Sequence, residues 1–387
     1  LSIDPACDYK NQDNKPLSLD WRQGMEMKMS ARKHVSLGLA GCLMATAACA
    51  PAYAQGSVTL FGVVDVAMLY TNKTRNPVTG LNDGSQVSMI DGGRYYSQFG
   101  LQGVEDLGGG LKAKFRLQSG ISATDGSLFH CNGNLFGCES WIALSGAAGE
   151  LKMGLQFSPF FQAIYDSDPR DLSLFGSEAT IYVGTVLGTS IFNPNAVTYT
   201  SPTFSGLTVS TMFAFGGKPG DFGSGKQYAA RIRYQHGGLT VNAALYSGNA
   251  GGAQSTPVPT NVEFDGRMIG VGYQFGSLTA KASFVNFKVA GSFDSNVFGG
   301  GINWFASPTL GINAGVWLTS DRNRTTNHSV MAAVGADYFL SKSTTLYAQC
   351  GLVNNHGAMN TGLSMIGALY GTAGTTFGGT VGIRKFF

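Results

Sequence analysis

Apolar and polar side chains alternate along most of this chain. In "LKAKFRLQ", Leu111, Ala113, Phe115 and Leu117 share one side of an extended backbone, and Lys112, Lys114, Arg116 and Gln118 share the other. The same split recurs in "LTVNAAL", "LTAKASF" and "LGINAGVWL". A period of two predicts strands. Short turn signals precede these strands: "GGGLKA", "GELKM", "SGLTV", "GGLTV", "GSLTA" and "SPTLGI". Their leucines, Leu111, Leu151, Leu207, Leu239, Leu278 and Leu310, lie 40, 56, 32, 39 and 32 residues apart. Each interval holds a strand out, a loop, a strand back and a tight turn, so the unit is an antiparallel hairpin.

The long interval, Leu151 to Leu207, carries its surplus in residues 158–195, a stretch with aromatic residues and the acidic cluster Asp166, Asp168, Asp171 and Glu178. Long loops usually carry function or are disordered. Two readings stay open: a loop folded inward that narrows a lumen, or an acidic solvated surface loop.

Composition changes the picture from strands to a membrane barrel. Only 13% of residues are charged against 43% hydrophobic, where soluble domains carry about 25% charge. No run of about 20 apolar residues exists, which excludes a spanning helix. A membrane β-barrel shows the same numbers, because alternation dilutes its apolar residues. The formal net charge of +3 says little, and no basic, aromatic-interleaved patch points to nucleic acid.

The front end reads as a targeting segment. "MKMSARKH" (27–34) is a basic start, "VSLGLAGCLMATAACA" an apolar core, and Ala52, Tyr53 and Ala54 a small-x-small cleavage site. Residues 1–26 read as an upstream extension, 27–54 as a signal peptide, and 55–387 as one barrel domain. A rival lipoprotein reading takes "LAGC" as an acylation box at Cys42, but the apolar run continues past it. After Gln55 the cysteines are Cys131, Cys138 and Cys350, and an oxidising compartment permits a Cys131–Cys138 bridge.

The 333 residues from Gln55 onward, at about 20 per strand with its share of loop, give roughly sixteen strands. A lumen that wide cannot be filled by side chains. The polar set therefore faces water inside and the apolar set faces lipid. Closure follows, because an open edge in hydrocarbon would leave amides unsatisfied at several kcal/mol each. "TVGIRKFF" reads as the closing strand, with Val381, Ile383, Lys385 and Phe387 on the lipid side.

These residues also carry a resemblance. "SVTLFGVVD" (57–65), "SQFGLQGVEDLGGGLKAKFRL" (97–117), "TYTSPTFSGLTV" (198–209), "VGADYFLSKSTTLY" (334–347) and the final "VGIRKFF" occur in this order. In them the chain resembles the general trimeric porins of β-proteobacteria along nearly all of its length. The resemblance implies a sixteen-stranded antiparallel transmembrane β-barrel in the outer membrane of a Gram-negative bacterium, assembled as a homotrimer. It implies a third extracellular loop that constricts the channel and passive passage of ions and small hydrophilic solutes. It also implies a terminal Phe387 read by the barrel-assembly machinery, and a surround of outer-membrane lipid and lipopolysaccharide. The chain departs from the family's basic positions at Gln98, Gln102 and Leu155, and "FNPNAVTYTSP" offers no cation before its Asn, which leaves charge selectivity open.

On the inward phase, Arg94, Lys112, Lys114, Arg116, Arg231 and Arg233 are the expected basic wall, with Asp166, Asp168, Asp171 and Glu178 opposite them. Facing charges in a narrow channel would orient dipolar solutes and set ion preference. Alternatively each is a wetted lumen residue far from the narrowest point. No catalytic or cofactor motif stands out. "GDFGSGK" has Gln227 where a phosphate-binding loop needs Ser or Thr, and a strand follows it. The histidines lack metal-ligand spacing, and Ser329 beside His328 is the nearest hint of a hydrolase. A barrel-embedded lipid hydrolase and an adhesion barrel remain as alternatives.

Overall fold

A computed structural model describes residues 57–186, 190–252 and 263–387. The expected upstream extension, signal peptide and lipoprotein box lie outside the described residues. The strands are β1 (Ser57–Thr71), β2 (Gln86–Asp91), β3 (Gln98–Gly108), β4 (Leu111–Gly120), β5 (Glu139–Gly146), β6 (Gly149–Gln156), β7 (Asn193–Thr200) and β8 (Leu207–Ala214). They continue as β9 (Gln227–His236), β10 (Leu239–Gly248), β11 (Phe264–Phe275), β12 (Leu278–Val289), β13 (Asp294–Ser307), β14 (Leu310–Asp321), β15 (His328–Phe339) and β16 (Thr344–His356). A small hairpin, β17 (Thr361–Ser364) with β18 (Ala368–Tyr370), precedes β19 (Gly374–Phe386). Two helices, α1 (Pro159–Ser167) and α2 (Glu178–Val186), lie between β6 and β7.

Every neighbouring pair in the main sheet is antiparallel, and β1 pairs with β19, so the sheet closes on itself. The second barrel strand is split into β2 and β3, both paired with β1, which makes sixteen staves in all. The split at residues 92–97 is held by Asp65 of β1, whose carboxylate accepts the N–H groups of Gly93 (3.3 Å) and Tyr95 (2.9 Å). The chain swings inward there and carries Arg94 into the lumen.

The alternation is realised as two faces. Along β15, Ser329, Met331, Ala333 and Asp337 are buried, while Val330, Val334 and Tyr338 are 37–51% exposed. In β19, Val381 and Ile383 are exposed, as is Phe387 just after it, and Thr380 and Arg384 are buried. Leu111 is exposed where Arg116, on the opposite phase of β4, is buried. Apolar side chains on the outer wall and polar ones inside fit oil outside and water within. Short turns join the strands at one end and long loops at the other, the periplasmic and extracellular ends of such a barrel.

Candidate functional site: a lumen narrowed by two loops

The segment between β6 and β7 folds into the barrel. Ser158 caps α1 by accepting the Phe161 N–H (3.1 Å), and Pro159 sits at the first helical position, where its missing N–H costs nothing. Both helices bury apolar side chains against the wall and each other. Phe160 packs on Tyr182, Tyr246 and Phe264, and Phe161 packs on Phe157 and Tyr182. The wall makes room: a Cβ at Gly266 would collide with Phe160, and one at Gly270 with Ser167. Glycine here serves close approach of the helix to the sheet.

The β17–β18 hairpin, from the last loop, also turns inward and pairs with this segment. Gly176 donates to the Leu363 carbonyl (2.7 Å), and Met365 donates to that of Leu174 (2.8 Å). Leu363 and Met365 are buried. Nothing in the alternation marks this second inward loop.

Arg170, fully buried, ties the arrangement to the far wall. Its guanidinium donates to Asn313 Oδ1 (2.8 Å), Gln349 Oε1 (2.5 Å) and the carbonyls of Phe175 (2.6 Å) and Gly176 (2.5 Å). Arg94 in turn donates to the Arg170 carbonyl (3.0 Å) and lies 3.5 Å from Asp337.

The charged residues expected to face one another across water meet instead by contact. Asp166 is ion-paired with Arg231 and Arg233 (3.2 Å to the latter), and Asp171 with Lys281 (3.0 Å). Asp168 and Glu178 are fully buried inside the loop rather than aligned along the channel. Asp168 accepts the N–H groups of Arg170, Leu172 and Glu178, closing the turn between the helices. Glu178 accepts a hydrogen bond from Ser283 of β12 (3.3 Å). Burial pushes both carboxyls up, and at Glu178 the negative charge of Asp168 acts in the same direction. The fold lets the acids dock the loop, and docking removes them from water.

The basic residues divide likewise. Arg94 is buried beneath the loop, and Arg116 is buried against Glu139 (2.8 Å), Gln102 and Gln118. Lys112 is exposed beside the β3–β4 turn, opposite Asp106 and Ser145. Lys114, Arg231 and Arg233 line a cavity of about 850 Å³ that opens from the constriction toward the short-turn end. Lys152 and Lys281 share it, with Glu150, Asp166 and Asp171 as its carboxylates. Both lysines stand on the polar phase of their strands, so alternation alone could have found them. Lys114 pairs with Glu150 (2.9 Å), and Lys152 lies over the Trp141 ring at 5.1 Å.

Cys131 and Cys138 form a disulfide in the β4–β5 loop, and Cys350 is free and exposed on β16. Beside that disulfide, buried His130 meets Asp91 at 2.5 Å, and its ring lies tilted 4.0 Å from that of Tyr96. Ser329 and His328 fall on opposite faces of β15: Ser329 meets Thr361 at 3.1 Å inside, while His328 stacks on His356 outside. A serine and a histidine so separated do not form a nucleophile and base pair.

Residues 40–358 match the model of the Gram-negative porin family. The chain belongs to that family. The porin is 29% identical over 370 residues to outer membrane porin protein 32 of Delftia acidovorans, covering 89% of this chain and 98% of that one. It is 30% identical over 361 residues to an outer membrane porin of Bordetella pertussis, covering 80% and 92%. Among solved structures it is similar to the anion-selective porin from Comamonas acidovorans, with TM-score 0.73 and 27% identity over 86% of this chain and all of that one. The porin is thus an outer-membrane channel for passive diffusion of ions and small hydrophilic solutes, and two of its loops fold inward and pair with each other.

Proposed function

We propose that this porin is a homotrimeric diffusion channel with a modest preference for anions, set in the cavity below the inward loops. One observation carries the reading: Lys114, Lys152, Arg231, Arg233 and Lys281 line that cavity against Glu150, Asp166 and Asp171. Each of these three carboxylates is held in an ion pair, which leaves the excess cationic. A cationic lining attracts anions and repels cations where the pore is narrow. The similar porin from Comamonas acidovorans is anion-selective, which supports the same sign for this chain. Phe387 would serve as the signal by which the barrel-assembly machinery recognises the chain, with cleavage near Ala54 before assembly. The test is the reversal potential of purified trimers in a planar bilayer under a potassium chloride gradient. A chloride-side potential supports the reading; a potassium-side potential overturns it.

A further inference from the structure

His328 opens β15 and His356 ends β16, 28 residues apart in the chain, yet the strand register sets them directly opposite each other. Both stand on the outward phase of their strands. Their rings stack with centroids 4.4 Å apart and 15° between planes. Spacing along the chain does not show this pair, because sheet register makes it.

Hydrogen bonds hold the backbone of both residues from either side. On the lumen face, Ser329 meets Thr361 at 3.1 Å, and Asn355 donates to the carbonyls of Thr361 (2.9 Å) and Thr372 (3.1 Å). Beyond the strand ends, the Asn327 side chain accepts the Ala358 N–H (2.9 Å), and the Asn327 carbonyl accepts that of Asp321 (3.0 Å). Ligands fixed in advance lose little freedom on binding.

Among the described residues no hydrogen bond or ion pair engages either ring. Little charge stands nearby to repel a cation. The loop at 357–360 has no ionisable side chain, and the loop at 322–327 has Arg322, paired with Asp294 (3.4 Å), and Arg324, which is exposed. The acid of that corner, Asp321, is buried and accepts the N–H groups of Asp294 (3.2 Å) and Asn323 (3.0 Å).

Neutral imidazole is a ligand for copper, zinc and nickel. Metal–nitrogen bonds of about 2.0–2.1 Å require two ring nitrogens within about 4 Å of each other. Rings 4.4 Å apart meet that requirement by rotating about the broad final side-chain torsion. No third His, Cys, Asp or Glu joins the pair among the described residues, so water completes the coordination shell. Copper(II) suits such a site best, because it heads the affinity order of the first-row divalent ions.

We propose that His328 and His356 chelate a divalent late transition-metal ion, copper(II) foremost, on the outer rim at the long-loop end. The bound ion clamps β15 to β16 at the base of the loop that carries the β17–β18 hairpin. The inference is independent of the proposed ion preference.

The test titrates the purified full-length porin, in detergent and stripped of metal, with copper(II), nickel, zinc and magnesium chlorides. Calorimetry measures affinity, and electron paramagnetic resonance counts the nitrogens on copper. The variants are His328→Gln, His356→Gln and, as a control at the short-turn end, exposed His236→Gln. Heat-modifiable gel migration and unchanged single-channel conductance establish that each is folded. The parent should bind one copper(II) per chain with coupling to two nitrogens, nickel and zinc more weakly, and magnesium not at all, since magnesium demands oxygen ligands. Either rim variant should weaken copper binding at least about tenfold, the loss expected even for an outer-shell partner of a metal. His236→Gln should bind as the parent does. Parent-like affinity in His328→Gln or His356→Gln overturns the site, as does coupling to a single nitrogen in the parent. Magnesium bound as tightly as copper overturns its chemistry.

Discussion

Gly62 and Phe387 exchange both backbone hydrogen bonds, N to O at 3.0 Å in each direction. The Phe387 ring lies over Gly62 so closely that a Cβ there would strike it, and the Gln98 carbonyl stands 2.6 Å from the same point. The last rung of the barrel seam is thus a glycine under an aromatic ring. Gly62→Val should displace Phe387, cost about 1–3 kcal/mol through overpacking, and slow closure of the barrel. Urea unfolding in detergent and the yield of heat-modifiable barrel measure both effects. Wild-type values for Gly62→Val would show that the seam tolerates a side chain.

Arg170 should control how firmly the inward loops stay in place. It donates to two wall side chains, Asn313 and Gln349, and to two carbonyls of its own loop. Arg170→Met removes this donor from all four buried acceptors, leaving Gln349 with the Ser173 hydroxyl alone, at about 3 kcal/mol or more. Arg170→Lys keeps the charge but loses the planar fork, so it should rescue only in part. The expected result is noisier single-channel current and faster proteolysis between residues 168 and 178, with the barrel itself intact. Quiet channels from Arg170→Met would assign the anchoring to the aromatic contacts of α1.

Glu178 gives loop docking a pH dependence with a definite sign. Its carboxyl is pushed well above the usual 4.5 by burial and by Asp168, so the docked loop binds a proton that the undocked loop releases. Docking should be strongest below pH 4.5 and weaken as pH rises through the docked-state value. Asp168, also raised by burial, contributes in the same direction. Glu178→Gln imitates the protonated acid, so its advantage over the parent should be absent in acid and grow toward neutral and alkaline pH. Limited proteolysis of both proteins from pH 4 to pH 9 measures that difference. A constant difference across the range would place the ionised carboxylate in the docked loop.

The barrel was legible in the sequence because lipid and water impose a period of two that no local contact overrides. Leu111 and Arg116 lie on the faces that alternation assigns them, and the long interval from Leu151 to Leu207 holds the inward loop. The site was less legible. Asp168 and Glu178 read as solvated acids because a polar residue in a loop carries no mark of what will cover it. Their burial arises only when α1 and α2 dock on β10, β11 and β12, a tertiary event. The hairpin at Thr361–Tyr370 was missed because "TGLSMIGALY" has the same apolar and glycine content as a lipid-facing stave. Its inward turn rests on backbone pairing with Leu174 and Gly176, far away in the chain.

Asp166 offers the sharpest test of the channel's charge preference. It neutralises two cations at once, Arg231 and Arg233, on the wall of the cavity below the loops. Asp166→Asn keeps the side-chain volume and frees both guanidinium groups to face permeating ions. A single carboxylate in contact with two arginines has more effect on the local potential than one exposed to bulk water, because little solvent screens it. Anion preference should therefore increase in Asp166→Asn and decrease in Arg231→Gln with Arg233→Gln, seen as reversal potentials moving in opposite directions from the parent. Both shifts should shrink as potassium chloride rises from 0.1 M to 1 M, where the screening length falls from about 10 Å to about 3 Å. If both variants moved the potential the same way, the effect would come from a changed loop position rather than from charge, and the cavity would not be where ions are selected.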